Sequence, residues 1–305
     1  MAFEIADLSN QLGYYRLLEA SEKARWIFRD QPWDEIDESK VTPELIEDVK
    51  IAAYAELTTF SATEAFMKLL YDDVDFTQWL SVWFFEETKH PLALIRWLGK
   101  LGVPIAQDFI HRGRKIEPMT DSRVEMLTSN ICSEIAANTA YNQFAKTVEE
   151  PVLVEVVKHL ARDEMRHSVG FEYYCRQAIE RSEDPERDRL IAMRTAWFLL
   201  QPASDGVTQH PVFLTLLKMK CLDMNEVERR YREHIVGRIA KMLELEIPGV
   251  DAFYDVYQDM KKRYRAARRA GHAARETPSS LHGETSGTRR ARDMGGAPAG
   301  TSPCR

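Results

Sequence analysis

Two stretches of the sequence place an acidic residue, a glutamate and, three residues on, a histidine in order: Phe85-Glu86-Glu87-Thr88-Lys89-His90 and Arg162-Asp163-Glu164-Met165-Arg166-His167. Positions i and i+3 share a helix face, so Glu87 with His90, and Glu164 with His167, each offer a carboxylate and an imidazole to one metal ion. One such motif arises often by chance. Two require a joint cause, and a di-metal centre supplies it if each motif faces another glutamate at equal height on the preceding helix.

In an antiparallel hairpin, residues at equal height are equidistant from the turn. Glu134 and Glu164 have their midpoint at 149, in Glu149-Glu150-Pro151, and Glu56 and Glu87 have theirs at 71.5, in Tyr71-Asp72-Asp73. The hairpins also superimpose as a repeat: Glu56 to Glu134 is 78 residues, Glu87 to Glu164 is 77 and His90 to His167 is 77. Glu64 is the rival of Glu56, two turns along the same face, but its separation of 23 from Glu87 departs from the 30 of the second hairpin. The expected ligands are therefore Glu56, Glu87, His90, Glu134, Glu164 and His167. Such oxygen and nitrogen donors suit two iron ions, with manganese an alternative at either position, and match a closed tetrahedral zinc site poorly. A metal-bound imidazole usually donates its other N–H to a carboxylate, so Asp163 is expected to orient His90, and Glu86 to orient His167. His111, His159, His210 and His234 are singletons with ordinary roles expected. Glu155 and Glu172 are expected to be solvated.

The elements that must position these groups are helices. Glycine (14) and proline (13) are scarce in 305 residues and period-two alternation is rare, which favours an all-α chain. A first amphipathic helix is predicted over about 13–29, and a second from the Thr42 cap and Pro43 without a breaker to about Tyr71. Others follow over about 75–98, 120–148, 151–181, 185–200, 211–221 and 223–246. An irregular stretch with His111 and Pro118 precedes the fourth. Helices two to five, at about 1.5 Å per residue, are each roughly 40 Å long and form two hairpins of a four-helix bundle. The chain divides into residues 1–40, an N-terminal helix and connector; 41–250, the di-metal helical domain with its extra helices; 251–275, a basic helix; and 276–305, a tail expected to be disordered for want of large apolar residues.

Residues 261–305 carry 11 Lys and Arg against 3 Asp and Glu, leaving 30 against 45 in the rest, so an acidic body ends in a basic segment. A solvated helix end explains that segment better than nucleic-acid binding does. No run approaches about 18 apolar residues and the N-terminus lacks signal character, so no membrane partner and a cytoplasmic location are expected. Cys132, Cys175, Cys221 and Cys304 show no CxxC spacing and are expected to be plain thiols.

These motifs resemble the ferritin-like di-iron carboxylate superfamily, and within it the soluble acyl-carrier-protein desaturases. EETKHPLALIRWL, with Trp79 and Trp83 upstream, and ARDEMRHSVGFEYY are similar to that family's two Glu-x-x-His helices; the likeness covers about residues 45–180. The resemblance implies an all-α, ferritin-like bundle with additional C-terminal helices, in a homodimer fed by a ferredoxin-type electron donor. It implies dioxygen as co-substrate and desaturation or oxygenation of an acyl group, carrier- or CoA-linked, or of a small organic molecule, with acyl carrier protein as a partner. The alternative is a ferroxidase or iron-handling protein. Apolar Phe60, Met67, Trp83, Phe84 and Tyr141 are candidates for a substrate pocket. The chain departs from the desaturases at Ala137, where they carry threonine, and at Pro91, which removes a helix hydrogen bond beside His90. Leu160 stands where arylamine N-oxygenases add a histidine, and Glu56 where ribonucleotide reductase small subunits carry aspartate.

Overall fold

The computed structural model describes residues 13–114, 120–201, 211–216 and 218–276, and among them the regular structure is helical throughout. Pro118, His210, Cys304 and the expected tail lie outside the described residues. The helices are α1 (Gly13–Ala24), α2 (Pro43–Glu56), α3 (Thr59–Leu69), α4 (Val74–Lys100), α5 (Phe109–Gly113), α6 (Arg123–Thr147), α7 (Pro151–Glu180), α8 (Pro185–Leu199), α9 (Pro211–Leu216), α10 (Met224–Met242) and α11 (Phe253–Glu276). One compact unit ends at Tyr264; a second runs from Arg265 and contains the last turns of α11. No described helix is long and apolar enough to cross a membrane.

Side-chain caps satisfy the free N–H groups that start each bundle helix. Thr42 accepts from the Leu45 N–H (3.1 Å), Asp73 from Phe76 (3.0 Å), Ser122 from Glu125 (3.3 Å) and Glu150 from Leu153 (2.7 Å). Glu150 and Asp75 also act as clamps. The buried Glu150 carboxylate accepts from the Trp97 indole (2.8 Å) and the Asp37 N–H (3.2 Å), tying the end of α4 and the connector to the start of α7. At the other end Asp75 accepts from the Gly13 and Tyr14 N–H groups (both 2.9 Å), and its carbonyl from the Tyr174 hydroxyl (3.1 Å). The antiparallel register of α4 against α7 is thus pinned at both ends, which fixes the relative height of the two Glu-x-x-His motifs.

The predicted second helix is not continuous. It breaks at Leu57-Thr58, directly after Glu56, where the Leu57 and Thr58 N–H groups turn back to the Tyr54 and Ala55 carbonyls (3.3 and 3.2 Å) instead of continuing the i−4 ladder. Successive threonines weaken a helix through lost rotamer freedom and hydroxyl competition, and here the Thr59 hydroxyl is engaged elsewhere. The helix over 223–246 is also shorter than predicted. It ends at Met242 because Glu244 takes a left-handed φ of 53° and Leu245 N–H closes onto the Ala240 carbonyl (2.9 Å). The helix expected over 211–221 is described only to Leu216.

Residues 126–141 of α6 are buried without interruption, because α7 covers one side and the later helices α8 and α10 cover others. A helix hidden all round has no amphipathic stripe, and its small residues Ala136, Ala137 and Ala140 allow close approach. The same covering corrects one expectation: Glu172 is buried and paired with Arg238 of α10 at 2.9 Å rather than solvated.

One end of the bundle is an aromatic block. Trp79 meets Phe171 edge-on at 4.7 Å and Tyr174 at 5.3 Å, and Phe66 stacks on Phe171 at 5.2 Å. Gly170 leaves room for that packing, since a Cβ there would lie 2.2 Å from Trp79 Cζ2. Gly170→Ala, which would normally favour a helix, is therefore expected to destabilise the fold by about 1–3 kcal/mol through overpacking, seen as a lower urea midpoint with unchanged m.

Candidate metal centre

Four helices deliver the six expected residues to one buried spot. Glu56 is the last residue of α2, Glu87 and His90 come from α4, Glu134 from α6, and Glu164 and His167 from α7; all are 6% exposed or less. They form two overlapping sets, Glu56, Glu87, His90 and Glu164, and Glu87, Glu134, Glu164 and His167, with the donor atoms of each set within 4.8 Å of one another. Glu87 and Glu164 belong to both, as bridging carboxylates would. The rival Glu64 is exposed and paired with Lys68 at 2.6 Å.

Both imidazoles turn Nδ1 inward. His90 Nδ1 lies 3.1 Å from Glu164 and 3.4 Å from Glu56, and His167 Nδ1 lies 2.8 Å from Glu87 and 3.5 Å from Glu134. Their Nε2 atoms face outward: His90 meets Asp163 at 3.2 Å and His167 meets Glu86 at 3.0 Å, each across to the other Glu-x-x-His helix. With Nδ1 reserved for the centre, Nε2 keeps the proton and donates, which fixes tautomer and ring orientation.

The donor atoms pass a direct test of fit. His90 Nδ1, His167 Nδ1, Glu87 Oε1, Glu134 Oε2 and Glu164 Oε1 are buried with no hydrogen-bond partner, and all belong to the two sets. Buried polar atoms are seldom left unpaired, so inward lone pairs gathered at one place fit cations. Four carboxylates would balance two divalent ions. Without cations the cluster must hold protons: burial and then the charge of Glu164 push the Glu56 carboxyl up to about 7 and hold Glu134 well above the carboxylate range. Burial alone would depress His90, but the charges of Glu87 and Glu164 win and raise it well above the usual imidazole range.

Apart from Arg166, the other groups at the centre carry no sequence signal of their own. Arg166, the residue before His167, bridges Asp163 (2.8 Å) and Glu86 (2.9 Å) and so offsets half the charge of the pair that orients both histidines. Its i+3 spacing from Asp163 was a legible hint. The Trp26 indole donates to Asp163 (2.8 Å), and His159 stacks on that indole at 5.3 Å. The Thr59 hydroxyl donates to Glu87 Oε2 (2.8 Å), Tyr141 to Glu56, and Asn130 (2.8 Å) and Trp83 (3.2 Å) to Glu134. Among the expected pocket residues, Trp83 and Tyr141 reach the centre, Phe60 and Phe84 pack edge to face at 5.2 Å, and Met67 is 40% exposed and lines no interior. The helix α4 runs on through Pro91, leaving the Glu87 carbonyl without its usual i+4 N–H donor.

No family model and no curated protein matches the sequence. Solved structures do match: the R2-like ligand-binding oxidase from Sulfolobus acidocaldarius, at 18% identity over 76% of this chain and 91% of that chain with a TM-score of 0.51. A second is an R2-like ligand-binding oxidase with an aerobically reconstituted Mn/Fe cofactor, at 16% identity over 80% of this chain and 97% of that chain with a TM-score of 0.53. At such identity the likeness establishes the fold, a ferritin-like helical bundle, in agreement with the expectation from sequence.

Two outcomes follow from the geometry. Asp163→Ala is expected to weaken metal binding by about 10–100-fold, measured by equilibrium dialysis, because His90 loses its acceptor and Arg166 a partner. In chelator the native state binds protons at Glu56 and His90 that the unfolded chain releases, so thermal stability should fall as pH rises through about 7. Metal-loaded protein should lack that decline.

Proposed function

We propose that this chain is a di-metal oxidoreductase that holds two iron ions, manganese being the alternative at either position, and uses dioxygen to desaturate or oxygenate an organic substrate. The observation that carries this reading is the pair of buried ligand sets sharing Glu87 and Glu164, with their unpartnered atoms turned to one place. When bound, such ions supply the redox step on dioxygen. Glu56, Glu87, His90, Glu134, Glu164 and His167 would hold them. Asp163 and Glu86 keep the imidazoles oriented, and Arg166 offsets one of their two charges beside the centre.

The surrounding residues serve such a reaction by keeping water away, since the ligands are buried and the buried Trp83 and Tyr141 pack against them. A hydrogen-bonded line from Trp26 through Asp163 to His90 gives electrons a covalent and hydrogen-bonded route inward. We assign the external reductant to a ferredoxin-type donor, and the substrate to the acyl class, carrier- or CoA-linked, with acyl carrier protein as the presenting partner and a homodimer as the working state. A small organic molecule is the second substrate class. The helix interruption after Glu56 supports adaptation on that side of the site.

Protein loaded with iron should contain about two ions per chain by metal analysis. After anaerobic reduction, its oxygen consumption should rise with acyl-carrier-linked substrate, and mass spectrometry should find a product two mass units lighter or sixteen heavier. Rapid conversion of free Fe(II) to mineral with no altered organic product would favour the ferroxidase alternative instead.

A further inference from the structure

The six ligands obey the internal repeat, but the groups that support them break it. Shifting by the 78 residues that relate Glu56 to Glu134, Thr59 corresponds to Ala137, Tyr141 to Thr63 and Asn130 to Ala52; shifting by 77, Trp83 corresponds to Leu160. None of these bonds to a ligand recurs: Thr63 keeps a hydroxyl but donates it to the Thr59 carbonyl (2.8 Å). Glu56 and Glu87 accept from hydroxyls, those of Tyr141 and Thr59, whereas Glu134 accepts from two N–H groups, those of Asn130 and Trp83.

The backbones differ in the same sense. Glu134 lies in the middle of α6, inside the run buried from 126 to 141, and Asn130 is one turn before it on the same helix. An amide and an indole held in packed helices offer N–H groups of fixed direction. Glu56 instead is the final residue of α2, ahead of the Leu57-Thr58 interruption, and Thr59 begins α3 beyond it. A helix end lacks the continuing ladder that restrains a mid-helix residue, and a hydroxyl rotates to follow its acceptor.

We infer that the two metal positions are unequal by construction: the one framed by Glu134 is rigid and fills first, and the one framed by Glu56 is adjustable and fills second. Tyr141 acts through Glu56, and Thr59 through the Oε2 atom of the shared Glu87, the oxygen on the His90 side (3.8 Å) and not the Oε1 beside His167 Nδ1 (2.8 Å), so both are positioning residues for that second-filled position. The inference rests on the di-metal reading given above and adds to it an order of filling and a division of labour.

The test is an anaerobic titration of the full chain, stripped with chelator, with Mn(II), following free ion by its electron paramagnetic resonance. Wild type should bind two ions in two phases with affinities at least about tenfold apart. Tyr141→Phe and Thr59→Val should weaken the second phase by about tenfold and leave the first within about twofold, while Thr59→Ser should restore it. Asn130→Ala should weaken the first phase. Thermal melts of each variant in chelator identify any that has lost its fold, and Thr59→Ser keeps the hydroxyl test open in that case. Two equal affinities in wild type, or variants at Tyr141 and Thr59 that shift both phases alike or neither, would overturn the inference while leaving the di-metal reading intact. Fewer than two ions bound by wild type would overturn both.

Discussion

Four carboxylates held within a few ångströms of one another in a protein interior repel each other and forgo hydration, and the rest of the molecule is arranged around that fact. Each buried charge costs several kcal/mol unless it is neutralised. The cluster therefore takes either cations or protons, and the elevated Glu56 and Glu134 carboxyls describe the second state. A flexible scaffold would relieve the repulsion by letting the helices part. The Glu150 and Asp75 clamps, one near each end of α4, prevent it by fixing the α4 and α7 register with buried hydrogen bonds.

Charge neutralisation extends one layer outward. Glu86 and Asp163 add two more carboxylates, and Arg166 meets both, while the buried Lys89 lies 4.8 Å from the Trp26 ring on the same side. The guanidinium suits this place because its planar fork reaches two acceptors at once and stays protonated when buried. The histidines are thus oriented by carboxylates that are themselves fixed and neutralised. A lone carboxylate behind each imidazole would instead have deepened the negative potential.

The ligand constellation was legible because helix geometry makes it a matter of counting: an i, i+3 pair and a shared midpoint survive in the linear sequence. The bundle and most helix starts were legible for a similar reason: Thr42 caps as expected, and the helices expected from about 75, 120, 151 and 185 begin at Val74, Arg123, Pro151 and Pro185. What failed depended on contacts distant in sequence. The successive threonines at 58 and 59 only weaken the helix, and what fixes the break, the Thr59 bond to Glu87, lies 28 residues away. Glu172 read as solvated because only the path of α10 shows that Arg238 lies against it. Thr59 and Tyr141 were invisible as partners of carboxylates, since a hydroxyl residue on a helix has no spacing rule that points across a bundle.

The seclusion of α6 has a consequence for biosynthesis. During translation α6 and α7 leave the ribosome well before α8 and α10, so the flank of α6 where Thr139 meets His234 of α10 (3.4 Å) stays uncovered until about residue 242 has been made. Glu134 sits on that helix. The nascent chain therefore owns all six ligands by residue 167 yet gains the last helix that covers α6 only some 75 residues later. An interval of several seconds at ordinary elongation rates separates possession of the ligands from the covering of that flank of α6, and in that interval the four ligand-bearing helices pack on one another alone.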